Sequence, residues 1–191
     1  LAKDERRFDL ILTTLHVEDM TAVRLATLAR EAGGRIPIIL LAYDSRELKD
    51  LRAQNCTEAF DRVFVWQGDF RLIVGIIKHL EDRMNVDHDT RLVGVQSILF
   101  IEDNIHYYST LLPILYTELL SQSQRLVSEG INLSHKFLRT VARPKILFCR
   151  TYEEAWNYFE KYREHILGII SDIDFPREGK PDHGAGIRFA K

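Results

Sequence analysis

Leu167-Gly168-Ile169-Ile170-Ser171-Asp172, near the end of the chain, repeats Asp9-Leu10-Ile11-Leu12-Thr13-Thr14 near its start. After a loop of variable length, Gly186-Ile187-Arg188-Phe189-Ala190 repeats Ala22-Val23-Arg24-Leu25-Ala26. Each copy reads as an apolar strand, a loop and the start of a helix. A short apolar run bounded by polar residues fits a buried strand, and apolar positions at helical spacing fit the helix that follows.

Working outward, the same alternation covers the chain. Strands are expected at Phe8 to Leu15, Ile36 to Tyr43, Val63 to Trp66, Ile98 to Ile101, Ile146 to Cys149 and Ile166 to Ile170. Helices are expected at Thr21 to Ala32, stopped by Gly33-Gly34, and at Ser45 to Gln54 with Ser45 as cap. Asp69 caps another expected helix through about Met84, and Asn85 to Val93 reads as a polar connector. A long helix from about Ile105 to Val127 is interrupted at Gly130 and resumes over Asn132 to Val141. Thr151 and Glu154 have capping-box spacing and open a helix to about Tyr162. Asp172 to His183 reads as a polar loop, and Ala185 to Lys191 as a helix cut short. Strands alternating with helices in this way indicate an α/β fold with a doubly wound parallel sheet.

Composition narrows the classes of function. The 191 residues are 46% hydrophobic and 28% charged, with a net charge of −2, an ordinary globular mix with no basic excess for nucleic acid or an anionic membrane. No apolar run is long enough for a helix to span a bilayer, and the N-terminus lacks the apolar core of a signal peptide. Cys56 and Cys149 form no CxxC and read as reduced structural thiols, so a cytoplasmic location is expected. The chain does not begin with Met and reads as part of a longer protein.

The second copy resembles the receiver domains of response regulators. Ile98-Leu99-Phe100-Ile101-Glu102-Asp103 is similar to the family's first strand, which ends in an acidic pair. Ile169-Ile170-Ser171-Asp172-Ile173-Asp174-Phe175-Pro176 is similar to its third strand, with the phosphoacceptor aspartate and a proline four residues later. Gly186 matches the glycine that opens the family's third helix. The resemblance implies a flavodoxin-like, receiver-like fold in which Asp172 accepts a phosphoryl group. It implies Mg²⁺ held by Glu102, Asp103, Asp172 and the main-chain carbonyl of Asp174.

The first copy resembles the rest of a receiver but lacks the chemistry. Thr14 stands at the phosphoacceptor position, Ala42 or Leu41 at the switch hydroxyl, and Trp66-Gln67 where the family has lysine and proline. The expected division is a degenerate unit over 1–89 and a second unit over 90–191, with a helical insertion at about 104–145. The second unit lacks the family's last two strands, so the two could share one sheet. The whole arrangement is similar to the N-terminal region of some bacterial proteins that end in a pyruvate-phosphate-dikinase-like module.

These implications define a phosphorelay signalling module rather than an enzyme acting on a metabolite. Its expected partners are a histidine kinase or phosphotransfer protein and a fused output domain. A phosphorylation-inactive pseudo-receiver, serving interaction or dimerisation, is the alternative. Carboxylates past neighbouring parallel strand ends meet in the crevice where open α/β sheets bind ligands, and a hard divalent cation relieves their repulsion.

Other features read more plainly. Asp87-His88-Asp89 is first a solvated turn and only second a metal site. Ser134-His135-Lys136-Phe137-Leu138-Arg139-Thr140 is first a surface helix and only second a phosphohistidine box. Tyr107, Tyr108, Leu111, Leu112, Ile114, Leu115, Leu119 and Leu120 give the long helix an apolar surface wider than one stripe, read first as core and second as a homodimer or partner surface.

Overall fold

A computed structural model describes residues 8–32, 36–53, 56–128 and 143–191. It divides the chain into two units, Leu1–Asp69 and Phe70–Lys191. Both are built from parallel sheet and helix, as the alternation of apolar runs requires.

In the first unit, strand β1 (Ile11–Thr14) leads through a hairpin of β2 (His16–Val17) and β3 (Met20–Thr21) into helix α1 (Ala22–Glu31). Thr21 caps α1, its Oγ accepting from the Arg24 N–H at 3.2 Å. Strand β4 (Ile38–Ala42), helix α2 (Ser45–Ala53), a 3₁₀ turn at Cys56–Ala59 and strand β5 (Arg62–Val65) follow. The sheet order is β1-β4-β5, all parallel. Every residue of β4 is buried, as expected of a central strand covered on both faces. Asp44, not Ser45, caps α2. Its Oδ1 accepts from the Arg46 and Glu47 N–H groups at 2.7 and 2.9 Å. The Gly33-Gly34 stop lies outside the described residues.

The second unit opens with helix α3 (Arg71–Val93), then strand β6 (Ser97–Ile101), helix α4 (Ile105–Ser128), strand β7 (Lys145–Cys149), helix α5 (Tyr152–Tyr162), strand β8 (Ile166–Ser171) and helix α6 (Ala185–Phe189). Its sheet order is β7-β6-β8, all parallel. The strand alternation divides the core. Phe148 of β7 meets His79 of α3, Tyr108 of α4 and Phe100 of β6 on one face. Leu99, Ile101, Leu147 and Cys149 pack with Ala155, Tyr162, Ala185 and Phe189 of α5 and α6 on the other. Each large side chain buried in this way stabilises the unit by about 1.5–3 kcal/mol.

Several expectations change here. The described strands form a three-stranded parallel sheet in each unit, besides the β2-β3 hairpin, rather than one shared sheet. The division falls at residue 69, not 89, because α3 packs on α4 and β7. Finally, Asn85 to Val93 is helix rather than connector, because several of its polar groups have partners within the second unit. The Asp89 carboxylate meets the Lys145 ammonium at 2.6 Å, while Asp87 accepts from Lys161 and the Tyr162 hydroxyl of α5. The helix stops at Gly94, whose φ of 68° is the left-handed conformation that glycine tolerates. Its first cap is Phe70, with no side-chain hydrogen bond, in place of the expected Asp69.

Candidate functional site

The chain enters the second sheet at its centre. From β6 it crosses to β7 on one side and then back to β8 on the other. The helices that follow β6 and β8, α4 and α6, pack on opposite faces of this sheet, and open α/β sheets bind ligands at the C-terminal strand ends where connections part in this way.

Glu102 and Asp172 continue these two strands by one residue. The Glu102 N–H donates to the Cys149 carbonyl at 3.1 Å, and the Asp172 N–H donates to the Ile101 carbonyl at 2.9 Å. Both carboxylates thus leave the same end of the sheet. Asp103 follows in the turn to α4. One oxygen from each of Glu102, Asp103 and Asp172 lies within 4.8 Å of the others. Among the described residues this is the one group of three His, Cys, Asp or Glu side chains placed to hold a metal.

Local bonds fix the trio. Glu102 is buried, and its Oε1 accepts from the Asn104 N–H at 2.9 Å. Asn104 then turns the chain into α4, its Oδ1 accepting from the His106 N–H at 3.0 Å. The Asp172 Oδ1 accepts from the Ile173 N–H at 2.7 Å. Burial pushes the Glu102 carboxyl above its ordinary range; the Asn104 N–H opposes this, and the negative charges of Asp172 and Asp103 add to it. The donor set is all oxygen and mutually repelling, so a hard divalent cation could be held there.

The loop after β8 is built around Asp172. The Gly186 N–H donates to the Ile173 carbonyl at 2.9 Å, bringing α6 against the loop. A Cβ at Gly186 would run into the main-chain carbonyl oxygen of Asp172, so a side chain has no room there. Phe175 is buried beside Tyr152. Beyond it Glu178 and Gly179, both at positive φ, make a tight turn closed by paired bonds between Arg177 and Lys180. That turn docks on the start of α5, where the Glu178 N–H donates to Glu153 at 2.8 Å and the Arg177 guanidinium stacks 4.7 Å from the Tyr152 ring.

Asp174 stays outside the trio with its side chain. Its two oxygens accept from the Gly184 N–H at 2.8 Å and meet the His183 Nδ1 at 3.0 Å, which holds its carboxyl below the usual range. In the first unit the strand ends carry Thr14, Ala42 and then Trp66, whose N–H donates to the Ala42 carbonyl at 2.8 Å. Asp87-His88-Asp89 lies on α3, where Asp87 and Asp89 engage Lys161, Tyr162 and Lys145. The segment around His135 lies outside the described residues, as does the expected helix from Asn132 to Val141.

The sequence reading missed a second polar cluster, at the opposite end of the sheet. Asp82 is fully buried and accepts from two nitrogens of Arg143, from the Tyr116 hydroxyl and from the Ile146 N–H. The last of these is an outward-facing donor on the β7 edge, so α3 satisfies part of that edge. The signal for this cluster was present: His79, Asp82, Val86 and Asp89 follow one another at helical spacing on one face. Cys149 is a buried thiol, its Sγ–H directed at the Leu147 carbonyl.

Among the described residues, no helix is long and apolar enough to cross a membrane. Comparison with family models, curated proteins and solved structures finds no match to this chain.

Proposed function

We propose that the second unit is a receiver-like signalling module, with a flavodoxin-like arrangement, that accepts a phosphoryl group on Asp172 with Mg²⁺ bound beside it. The observation that carries this reading is the convergence of Glu102, Asp103 and Asp172 within 4.8 Å at the ends of adjacent parallel strands. Glu102, Asp103 and Asp172 would hold the ion, with the main-chain carbonyl of Asp174 completing the protein's ligands. When bound, the ion supplies positive charge that offsets the charge of the transferring group. The chain's own contribution is the Asp172 carboxylate as acceptor, positioned by the Ile173 N–H and by the close approach of Gly186. Phosphorylation would then bias the loop and α6 and pass a signal to a fused or docked partner, with a histidine kinase or phosphotransfer protein as donor.

The test is incubation with Mg²⁺ and acetyl phosphate, read as intact mass. An adduct that disappears in Asp172→Asn is the expected result; no adduct on the wild-type chain refutes phosphoryl transfer.

One observation favours a second reading, a phosphorylation-inactive receiver-like module used for interaction. At the strand ends of the first unit Thr14, Ala42 and Trp66 stand where the receiver resemblance calls for the acceptor carboxylate, the switch hydroxyl and the lysine. Mg²⁺ binding without an adduct is the outcome that selects this reading.

A further inference from the structure

Arg150 shares a row of the sheet with two of the three carboxylates. Ile101 of β6 lies opposite Cys149 of β7 on one side and Ser171 of β8 on the other. The main-chain bonds from Glu102 to Cys149 and from Asp172 to Ile101 carry both ladders one step further. Arg150, Glu102 and Asp172 therefore stand side by side across the C-terminal ends of β7, β6 and β8. Two strand spacings, about 10 Å of sheet, separate the outer two. Alternation turns Arg150 to the face on which Phe148 and Phe100 meet. There its guanidinium lies 5.8 Å from the ring of Tyr108. The Tyr108 N–H closes the first turn of α4 on the Asn104 carbonyl, so this contact keeps the cation at the same end of the sheet as the trio.

The fold leaves this cation uncommitted. At the other end of β7, Arg143 and Lys145 are neutralised by Asp82 and Asp89. Among the described residues no carboxylate pairs with the Arg150 guanidinium, and its Nε is buried without a hydrogen-bond partner. Its main chain is fixed nonetheless, because the Arg150 N–H donates to Glu154 at 2.7 Å. A buried donor left unpaired costs free energy and calls for an explanation in function.

We infer that Arg150 binds the phosphoryl group carried by Asp172. The inference rests on the proposed transfer to that residue. In the transfer a carboxylate oxygen of Asp172 bonds to phosphorus while the bond from phosphorus to the donor's oxygen breaks. With acetyl phosphate the electron pair leaves on acetate, and Arg150 neither gives nor takes a proton. The group brings further negative charge to a place already occupied by Glu102 and Asp103. A guanidinium suits its oxygens, since it is always charged and its planar fork donates two parallel bonds to phosphate. An arginine extended along the row passes Glu102 and meets a group projecting from Asp172. Arg150 is thus a phosphoryl-binding residue and no ligand of the metal.

The test uses the 191-residue chain with Mg²⁺ and acetyl phosphate, read as the rate at which the Asp172 adduct appears in the intact mass. Arg150→Met, which keeps an unbranched stem on Tyr108, should slow the adduct by at least about tenfold. Arg150→Lys keeps the charge and loses the fork, so its rate should fall between the two. Mg²⁺ affinity, measured by calorimetry, should not weaken in either variant. Mg²⁺ with beryllofluoride, which places a tetrahedral anion on a carboxylate, should raise the melting temperature of the wild type more than that of Arg150→Met. If Arg150→Met does not fold, Arg150→Gln takes its place in every measurement. Adducts that form at the wild-type rate in all variants overturn the inference and leave the role of Asp172 intact. So does a Met variant that loses Mg²⁺ binding together with the adduct, which makes Arg150 a structural residue. A wild-type chain that forms no adduct and gains nothing from beryllofluoride overturns phosphoryl transfer itself, and this inference with it.

Discussion

Asp82 of α3 and Arg143, just ahead of β7, meet at 2.6 Å with the carboxylate fully buried. The pair joins residues 61 positions apart in sequence. It also fixes α3 along the edge of the second sheet, through the Ile146 N–H that the same carboxylate accepts at 2.9 Å. Removing one partner of a buried ion pair leaves the other charged and desolvated, which costs about 3–5 kcal/mol. Asp82→Ala should therefore destabilise the second unit by that amount, measured as a lower urea midpoint. Replacing Asp82 and Arg143 together by apolar residues of similar size should recover only part of the loss: no charge is left unpaired, but the Tyr116 hydroxyl and the Ile146 N–H lose this acceptor.

The neighbouring ion pair between Asp89 and Lys145 sets a pH dependence. Burial pushes the Asp89 carboxyl up, but hydrogen bonds from Lys145 and His88 outweigh this and hold it below its ordinary value of 3.8. A carboxyl with a depressed folded-state pKa contributes stability that is complete above its unfolded value and is lost as pH falls through the folded one. Asp89 should thus stabilise the fold fully at neutral pH and lose its contribution below pH 3.8. In chemical denaturation at a series of pH values, Asp89→Asn should flatten the acid limb of the curve. An acid limb that keeps its slope would remove Asp89 from the account.

Gly186 separates packing around Asp172 from the role proposed for its carboxylate. A methyl group there meets the Asp172 carbonyl oxygen and the Ile173 Cα, both backbone atoms that cannot rotate away. Overpacking of this kind costs about 1–3 kcal/mol and moves the backbone. Gly186→Ala should lower the melting temperature and, on the proposed function, weaken Mg²⁺ binding even though all three carboxylates remain. A Mg²⁺ titration unchanged from wild type would mean that the loop yields without moving Asp172.

Thr151 caps α5, its Oγ accepting from the Glu154 N–H at 3.2 Å, while Glu154 reaches back to the Arg150 N–H at 2.7 Å. Thr151→Ala should cost about 1 kcal/mol, and Thr151→Ser should cost much less. A thermal melt of the two variants distinguishes a lost cap from lost packing.

Much of the fold was legible because its central strands are continuous apolar runs. Ile38–Ala42, Ser97–Ile101 and Lys145–Cys149 lie close to where periodicity puts them, and the Thr151–Glu154 spacing does mark a helix start. The acidic trio was legible as residues, since Glu102, Asp103 and Asp172 end two such runs. Their mutual distance was not, because it depends on β6 and β8 being neighbours. The second half of α3 was misread for a physical reason. A charged residue at a helical position looks solvated in sequence, yet Asp82 and Asp89 turn inward to Arg143 and Lys145, which lie far along the chain. Two-residue strands such as His16–Val17 carry too little pattern to read at all. The cap of α2 was missed by one residue because Asp44 and Ser45 are both good capping types.

The position of α3 sets the division expected from sequence apart from the one the contacts give. On the receiver resemblance this helix would close the first copy; by its partners, it is the opening element of the second unit. A shuffled or fused gene that respected the repeat and was cut at residue 89 would sever a continuous helix and strand Arg143 and Lys145 without their carboxylates. The seam to use for grafting lies between β5 and α3, across residues 66–69, where the recombined halves each keep their own buried charges neutralised.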